Sequence, residues 1–347
     1  MVAKEITNAD LRVLVGGKER NRNSDGLLKY ELGKGFLTPE MRTQGFTNQG
    51  VLHHSSRISS EFLGWGPKPY PSMETANNMP DLLYEKRDHI ALITFNRPEK
   101  RNALSPETLV RLAEAWVDFR DDDSLRVAIL TGSGETAFCA GGDLGRLMPL
   151  FTGAREPEDE WDHRLMDDVG RVMSTALLRP FELYKPIIAA VNGFALAGGT
   201  EILQSTDIRI ASSKASFGLS ETQRGLVPGG GSMVRLPRQI PYCKAMEILL
   251  TGDRISADEA LRIGFVNEVV APEELMPRAF EFAERLSKNA PLALRAIKEA
   301  VIRTSGLPLD DAYRIEHEVS AVVMTSKDAQ EGPRAFMEKR EPVFIGK

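Results

Sequence analysis

The sequence predicts an α/β fold, and three features of its 347 residues support that prediction. Short β-branched, apolar runs typical of buried strands alternate along the chain with signals for helix starts. Two of these runs, at residues 127–130 and 187–191, lead towards glycine-rich turns. After Val269 the pattern is helical. An α/β core followed by a helical region accounts for all three features.

The composition excludes several classes of protein. The charged fraction of 27% and the hydrophobic fraction of 42% are ordinary for a globular protein. The net charge of −5 gives no general attraction to nucleic acid or anionic membranes, and no apolar run reaches the roughly 18 residues that span a bilayer. Cys139 and Cys243 are too few for a disulfide framework, and the first residues lack the apolar core of a secretory signal. We therefore expect a cytoplasmic protein without nucleic-acid or membrane partners.

Three regions are expected along the chain. Residues 1–80 are rich in Gly, Asn, Ser, Lys and Arg and hold no period for long, so they predict an irregular N-terminal arm. Residues 81–271 form the predicted core, and residues 272–347 form a helical C-terminal region. His53 and His54 have no further His or Cys near them in sequence, so a solvated pair is expected there and no metal site.

The first half of the core contains one helix with clear start signals. Ser105 is its predicted N-cap and Pro106 its first residue, and the helix is expected to run to about Asp121. Around it we expect a strand at residues 89–95, a basic turn at 96–102, a buried strand at 127–130, a small-residue loop at 138–144 and an acidic, partly helical lid at 145–184.

The stretch from Lys185 to Ile202, KPIIAAVNGFALAGGTEI, combines a buried strand, a turn of small residues and a helix start. Amides at a helix N-terminus have no partner within the helix, so they suit an oxygen that is becoming negative, and Glu201 one turn away could move a proton. Taken alone, the glycines could simply relieve crowding and Glu201 could suit the helix dipole. After this stretch we expect a strand at residues 207–211 and a helix start after the glycine run at 228–232. Three helical segments follow, at residues 272–287, 291–304 and 309–336.

The order of motifs over about residues 84–347 resembles the enoyl-CoA hydratase/isomerase (crotonase) family. The motifs are NRPEKRNALS, GETAFCAGGDL, KPIIAAVNGFALAGGTEI, DIRIAS, SFGLSETQRGLVPGGG, TGDRISADEALRIGFVNEVV and EGPRAFMEKREPVF. The resemblance implies a crotonase-like spiral of ββα units with a C-terminal helical region that builds a homotrimer or a dimer of trimers. It also implies that the substrate is an acyl-CoA thioester.

The resemblance also assigns the chemistry. The family stabilises a thioester enolate with two backbone amides, which by motif position resemble those of Gly142 and Gly198, and each such donor is worth about 3 kcal/mol in barrier. The family's hydratases add two glutamates, and Glu201 and Glu221 occupy both positions. Two carboxylates in one buried site retain a proton between them near neutrality, which suits syn-addition of water. The resemblance implies that Glu221 protonates Cα and that Glu201 holds and activates the water.

Coenzyme A would be part of the substrate, and the resemblance implies no separate cofactor. Lys100 and Arg101 stand in the turn that the family places beside the nucleotide, and two cations beside a backbone loop suit phosphate groups. Judged without the resemblance, such a pair is more often just solvated surface charge. The other implied CoA contacts are Ala103, Ala140, Phe336 and Lys339.

Two positions depart from the common family pattern. Ser220 stands where a proline often precedes the second glutamate, and Thr200 stands where a cysteine is common. Neither change removes a catalytic atom. Apolar residues early in the lid, such as Leu147 and Met148, either border the acyl pocket or only pack the lid.

Both glutamates together favour an enoyl-CoA hydratase, which converts a trans-2-enoyl-CoA to a 3-hydroxyacyl-CoA. The alternatives on the same oxyanion hole are double-bond isomerisation, thioester hydrolysis, and hydration followed by carbon–carbon cleavage. An RNA-binding member would need a helix with clustered Lys and Arg, whereas Arg97, Lys100 and Arg101 are dispersed in a loop with acidic neighbours. An inactive scaffold would need neither both glutamates nor both glycine-rich turns.

Overall fold

The computed structural model describes residues 79–347 and two short strands nearer the N-terminus. Those strands, β1 (Lys29–Glu31) and β2 (Gln49–Val51), pair antiparallel. Apart from residues 79–80, the rest of the predicted irregular arm, including His53 and His54, lies outside the described residues. Internal contacts divide the chain into Met1–Pro69 and Tyr70–Lys347, and the boundary expected at residue 271 lies within the second unit.

A six-stranded sheet belongs to the second unit. Its strands are β3 (Leu82–Arg87), β4 (Ile90–Phe95), β5 (Val127–Gly132), β7 (Ile187–Val191), β9 (Ile208–Ser212) and β12 (Glu268–Val270). Their order is β12-β9-β7-β5-β4-β3, in which β3 and β4 pair antiparallel and every other pair is parallel. The four strands predicted for this sheet are confirmed, each to within two residues.

A second, four-stranded sheet is built from short strands. These are β6 (Ala137–Cys139), β8 (Phe194–Leu196), β10 (Ser216–Gly218) and β11 (Arg254–Ser256), in the order β11-β10-β8-β6. Each of β6, β8 and β10 follows one strand of the large sheet, and helical structure comes after it. This repeat is the ββα unit that the resemblance implied, so the expected fold is confirmed.

The described helices are numbered in chain order, and the first of them begins at a polar N-cap residue. They are α1 (Pro106–Asp121), α2 (Leu147–Phe151), α3 (Glu160–Asp167), α4 (Val169–Ala176), α5 (Gly198–Leu203), α6 (Ser232–Gln239), α7 (Tyr242–Thr251), α8 (Ala257–Arg262), α9 (Leu275–Ser287), α10 (Pro291–Thr304), α11 (Leu309–Met324) and α12 (Lys327–Glu338). At α1 the Oγ of Ser105 accepts a hydrogen bond from the amide of Thr108 at 3.1 Å, which confirms the predicted cap. Among the described residues no helix is both long and apolar enough to cross a membrane.

The helical tail differs from the prediction in two places. The segment expected as one unit at residues 309–336 is two helices, α11 and α12, because Ser326 caps a new helix by accepting the amide of Ala329 at 3.1 Å. The segment expected at residues 272–287 starts with a 3₁₀ turn, Pro272–Glu274, before α9 begins. The sequence signal for the break between α11 and α12 is a polar N-cap residue, Ser326, within an otherwise continuous apolar helical period.

Two apolar clusters cover the two faces of the large sheet. Ile129 of β5 and its neighbours on one face pack against α9 through Leu275 and Ala279. Leu130 and the alternate residues on the other face join the larger cluster that contains Trp116 of α1. Side chains alternate between faces along a strand, so burial on both sides explains why these strands are apolar throughout. The packed sheet is a rigid base for the loops that follow its strands.

Candidate active site

The turn between β8 and α5 has an unusual backbone. Ala197 has φ +49° and ψ −123°, a conformation that costs a residue with a side chain about 1–3 kcal/mol. Its amide donates to the carbonyl of Gly218 at 2.8 Å. The hydroxyl of Thr200 donates to the carbonyl of Ala195 at 2.6 Å and accepts from the amide of Gly218 at 3.3 Å. These bonds fix the first amides of α5 in place.

The glycine-rich loop after β6 packs against that turn. The carbonyl of Gly141 accepts from the amide of Leu104 at 2.8 Å, and the amide of Asp143 donates to the carbonyl of Leu104 at 2.9 Å. These two hydrogen bonds use the carbonyl of Gly141 and the amide of Asp143, so neither of them involves the amide of Gly142. Gly141 has φ +91°, and a β-carbon there would lie 2.7 Å from that of Ala197. Glycine is therefore needed at 141 for both conformation and contact.

The two predicted oxyanion glycines are neighbours in space. A β-carbon built on Gly198 would lie 3.7 Å from the amide nitrogen of Gly142, and both residues line the same cavity. Backbone amides held by packed loops need no reorganisation when charge develops on a bound oxygen. The geometry can therefore present two donors to one oxygen.

Glu201 is buried in the first turn of α5, with 6% of its surface exposed. Burial raises the pKa of its carboxyl above the ordinary value, and hydrogen bonds from the backbone of Ser232 and Gly230 and the charge of Arg179 offset part of that rise. The amide of Ser232 lies 3.5 Å from Oε1. A carboxylate that receives backbone amides is stabilised in its ionised form.

Glu221 lies at the start of the 3₁₀ turn Thr222–Arg224. The pKa of its carboxyl is raised to about 7, chiefly by burial; the nearby charge of Glu201 also raises this pKa, while a backbone hydrogen bond and the charge of Arg224 act in the opposite direction. Its Oε2 is buried and has no hydrogen-bond partner among the described residues. A buried carboxyl without a partner is costly as an anion, so the pair can hold one proton, and Glu221 is the better place for it.

One cavity of about 960 Å³ brings most of the predicted residues together. Its lining includes Gly142, Gly198, Glu201, Glu221 and two of the predicted CoA contacts, Arg101 and Ala140. Apolar side chains make much of the remaining wall: Leu104, Leu109, Leu144, Leu147, Met148, Phe151, Met173, Leu177, Phe194, Leu196, Leu226 and Val227. Of the early lid residues, Leu147, Met148 and Phe151 therefore border this cavity, whereas Leu150 is buried in the larger apolar cluster.

The other predicted CoA contacts lie outside the lining of this cavity. The carbonyl of Lys100 accepts from the amide of Ala103 at 3.1 Å, and the carbonyl of Ala103 accepts from the guanidinium of Arg97 at 2.7 Å. Phe336 on α12 is 82% exposed, and Lys339 ends that helix in the left-handed conformation at φ +57°. A CoA contact at these four positions remains a prediction.

Three residues of the site were given no role there from the sequence. Arg179 lines the cavity from the end of the lid. Gly230 lies against the carboxylate of Glu201, a contact that was not predicted although its PGGG run belongs to a family motif and marks a helix start. Arg97 forms ion pairs with Asp81 at 3.2 Å and Asp143 at 3.0 Å, which hold the loop next to Gly142. An arginine immediately before Pro180 was the only available signal for the first of these.

Within the described part of the chain, no group of three or more His, Cys, Asp or Glu side chains is placed to hold a metal ion.

Comparison with known proteins identifies the family. The family model described as enoyl-CoA hydratase/isomerase matches residues 85–347. This chain belongs to that family. Enoyl-CoA hydratase EchA19 of Mycobacterium tuberculosis is 44% identical over 272 residues, which cover 78% of this chain and 99% of that protein. The (E)-benzylidenesuccinyl-CoA hydratase of Thauera aromatica is 40% identical over 262 residues, which cover 76% and 98%.

Solved structures of enoyl-CoA hydratases share the fold. The enzyme of Bacillus anthracis is 37% identical with a TM-score of 0.69, covering 77% of this chain and all of that one. The enzyme of Mycobacterium tuberculosis H37Rv is 38% identical with a TM-score of 0.68, covering 78% and 100%. The resemblance inferred from motifs is thus confirmed for family and fold in this member of the enoyl-CoA hydratase/isomerase family.

Proposed function

We propose that this enzyme is an enoyl-CoA hydratase, which adds water to a trans-2-enoyl-CoA and gives a 3-hydroxyacyl-CoA. The observation that carries the proposal is that Glu201 and Glu221 line the same cavity as the adjacent loops of Gly142 and Gly198. Relatives named as hydratases, at 44% and 40% identity, support the same reaction class.

The amides of Gly142 and Gly198 would bind the thioester oxygen. As water attacks Cβ, electron density moves to that oxygen and an enolate develops. Two fixed donors in a largely apolar cavity stabilise this charge, and each is worth about 3 kcal/mol of barrier. Because Ala197 and Gly141 lock the two loops together, the donors are in place before the substrate arrives.

The two carboxyl groups divide the proton transfers. Glu201 receives backbone hydrogen bonds that favour its anion, so it removes a proton from the attacking water. Glu221, whose pKa is raised to about 7, carries the proton and delivers it to Cα. The hydroxyl from water forms the new bond at Cβ, and the double-bond electron pair ends in the Cα–H bond. Transfer of the proton from Glu201 back to Glu221 restores the starting state.

The CoA moiety is proposed to lie on the side of the cavity formed by Arg101 and Ala140. The amide of Ala140 donates to the carbonyl of Arg101 at 3.1 Å, so the two contacts belong to one rigid unit. Lys100, Ala103, Phe336 and Lys339 remain proposed contacts to the nucleotide end of CoA.

A homotrimer or a dimer of trimers is proposed for the assembly. Several large apolar side chains of α10 and α11 are exposed in the isolated chain: Ile297, Val301, Ile302, Leu309, Tyr313, Val322 and Met324. Apolar groups of this extent are typical of surfaces that associate. Light scattering on the purified protein tests this, and a monomeric mass would contradict it.

The proposed reaction is tested with purified full-length protein and a panel of trans-2-enoyl-CoA thioesters that differ in chain length, branching and ring content. Loss of the conjugated thioester with formation of 3-hydroxyacyl-CoA in at least one case is the expected result. No hydration across the panel, with release of free CoA instead, would contradict the proposal.

A further inference from the structure

Arg179 is a cation on the wall of the cavity that no motif predicted. It is exposed, and its Nη1 donates to the carbonyl of Gly229, a neutral group. Among the described residues no carboxylate lies within ion-pair distance of its guanidinium. A guanidinium has five N–H donors in a planar fork that matches a carboxylate. Most of its hydrogen-bonding capacity is thus available to a ligand.

The position of Arg179 places it beside the reacting centre on the side of Glu201. Its partner Gly229 precedes Gly230, which contacts the carboxylate of Glu201, and the charge of Arg179 reaches that carboxylate. Arg101, by contrast, is bonded to Ala140 beside the glycine loop of the oxyanion hole. With the CoA moiety on the Arg101 side, as proposed above, the part of the acyl chain beyond Cβ would extend towards Arg179.

Apolar side chains make up much of the wall of this cavity. Met173, Leu177, Leu226 and Val227 belong to it, and its polar and charged lining residues include Ser174, Arg224 and Asp253. Hydrogen bonds from a cation to a carboxylate are stronger in such surroundings than in water. An entirely hydrocarbon acyl chain would make no favourable polar interaction with a charged group here.

We propose that Arg179 is a specificity-determining residue that binds a carboxylate on the acyl group, so that the substrates are enoyl-CoA thioesters of dicarboxylic acids. The inference rests on the proposed hydration reaction and names its substrate class. The competing explanation is that Arg179 only helps to keep Glu201 ionised. That role would affect all substrates alike, whereas recognition affects only those with the second carboxylate.

The test compares pairs of substrates with the full-length enzyme. Each pair is a trans-2-enoyl-CoA with a terminal carboxylate and its methyl ester, over a short series of chain lengths. For the best chain length we expect kcat/KM to favour the carboxylate by at least roughly tenfold, and Arg179→Gln to reduce that ratio by at least roughly tenfold, mainly through KM. Arg179→Lys should retain part of the preference because it keeps the charge.

Arg238→Gln is the matched control, because Arg238 is an exposed arginine that donates to the carbonyl of Val234 and lies outside the cavity lining. Its ratio of kcat/KM values for carboxylate and ester should equal that of the wild type.

Equal loss on both substrates in Arg179→Gln, or a wild-type enzyme that hydrates only the esters, would overturn the proposal while leaving hydration intact. No hydration of any enoyl-CoA would instead contradict the proposed function. If Arg179→Gln does not fold, competitive inhibition of the wild type by saturated acyl-CoA pairs decides, with tighter binding of the carboxylate expected and equal binding contradicting the proposal.

Discussion

Gly230 lies directly against the carboxylate of Glu201. A β-carbon on Gly230 would be 2.6 Å from Oε2 and 2.8 Å from Cδ of Glu201, and 3.0 Å from Leu177. Two residues later, the amide of Ser232 lies 3.5 Å from Oε1. The loop before α6 therefore holds the carboxylate of Glu201 in position, and the absence of a side chain at residue 230 is part of the site.

Replacement of Gly230 by Ala should lower hydration by roughly 10–100-fold, because Glu201 would have to move away from the position in which it is proposed to activate water. Gly229→Ala is the matched control, since its β-carbon would meet its nearest atom, the carbonyl oxygen of Val227, at 3.9 Å. Steady-state kinetics on both variants decide the matter. Equal activities for the two variants would show that the contact with Glu201 does not matter for catalysis.

Glu201→Gln and Glu221→Gln should each reduce hydration by on the order of 10²-fold or more, with the fold and acyl-CoA binding largely kept. Each variant retains a side chain of the same size but removes one proton-transfer group. Turnover is measured beside binding of a saturated acyl-CoA. Near-wild-type turnover in either variant would assign that residue a structural role.

Gly142→Pro deletes the amide assigned to the oxyanion hole, so kcat should fall by roughly 10²–10³-fold in protein that still folds. Gly142→Ala separates this effect from crowding, because its β-carbon would lie 3.5 Å from Leu147, an ordinary contact, and the amide is kept. Circular dichroism and light scattering establish that both variants fold. A folded, fully active proline variant would exclude Gly142 as a donor.

The raised pKa of Glu221, about 7, makes a prediction for stability. The folded protein binds this proton more tightly than the unfolded chain does, so the stabilising contribution is complete below about pH 4.5 and is lost as pH rises through 7. Glu221→Gln removes the titration. The variant should therefore gain about 1–3 kcal/mol in free energy of unfolding relative to wild type between pH 4.5 and pH 8.5.

Denaturant unfolding across this pH range measures that difference. A difference for Glu221→Gln that does not change with pH would mean that Glu221 ionises in the folded protein as it does in the unfolded chain.

Much of the site was predictable because its parts are local. The glycine turns, the cap at Ser105 and Glu201 in a first helical turn depend on neighbouring residues, and the structure places them as expected. The contact between Gly230 and Glu201 joins residues 29 positions apart, and its requirement for glycine comes from tertiary packing. The same holds for Arg179, whose role depends on which loops surround it. Local pattern alone could not have shown either.

The most direct test of the account follows solvent atoms into the product. An enoyl-CoA that the enzyme accepts is converted in H₂¹⁸O and, separately, in D₂O, and the product is analysed by mass spectrometry. Hydration with Glu221 as the acid predicts one ¹⁸O in the hydroxyl at Cβ, one deuterium at Cα and an intact thioester. A shifted double bond without added oxygen, an aldehyde or ketone with a shorter thioester, or free CoA as the main product would contradict the assignment.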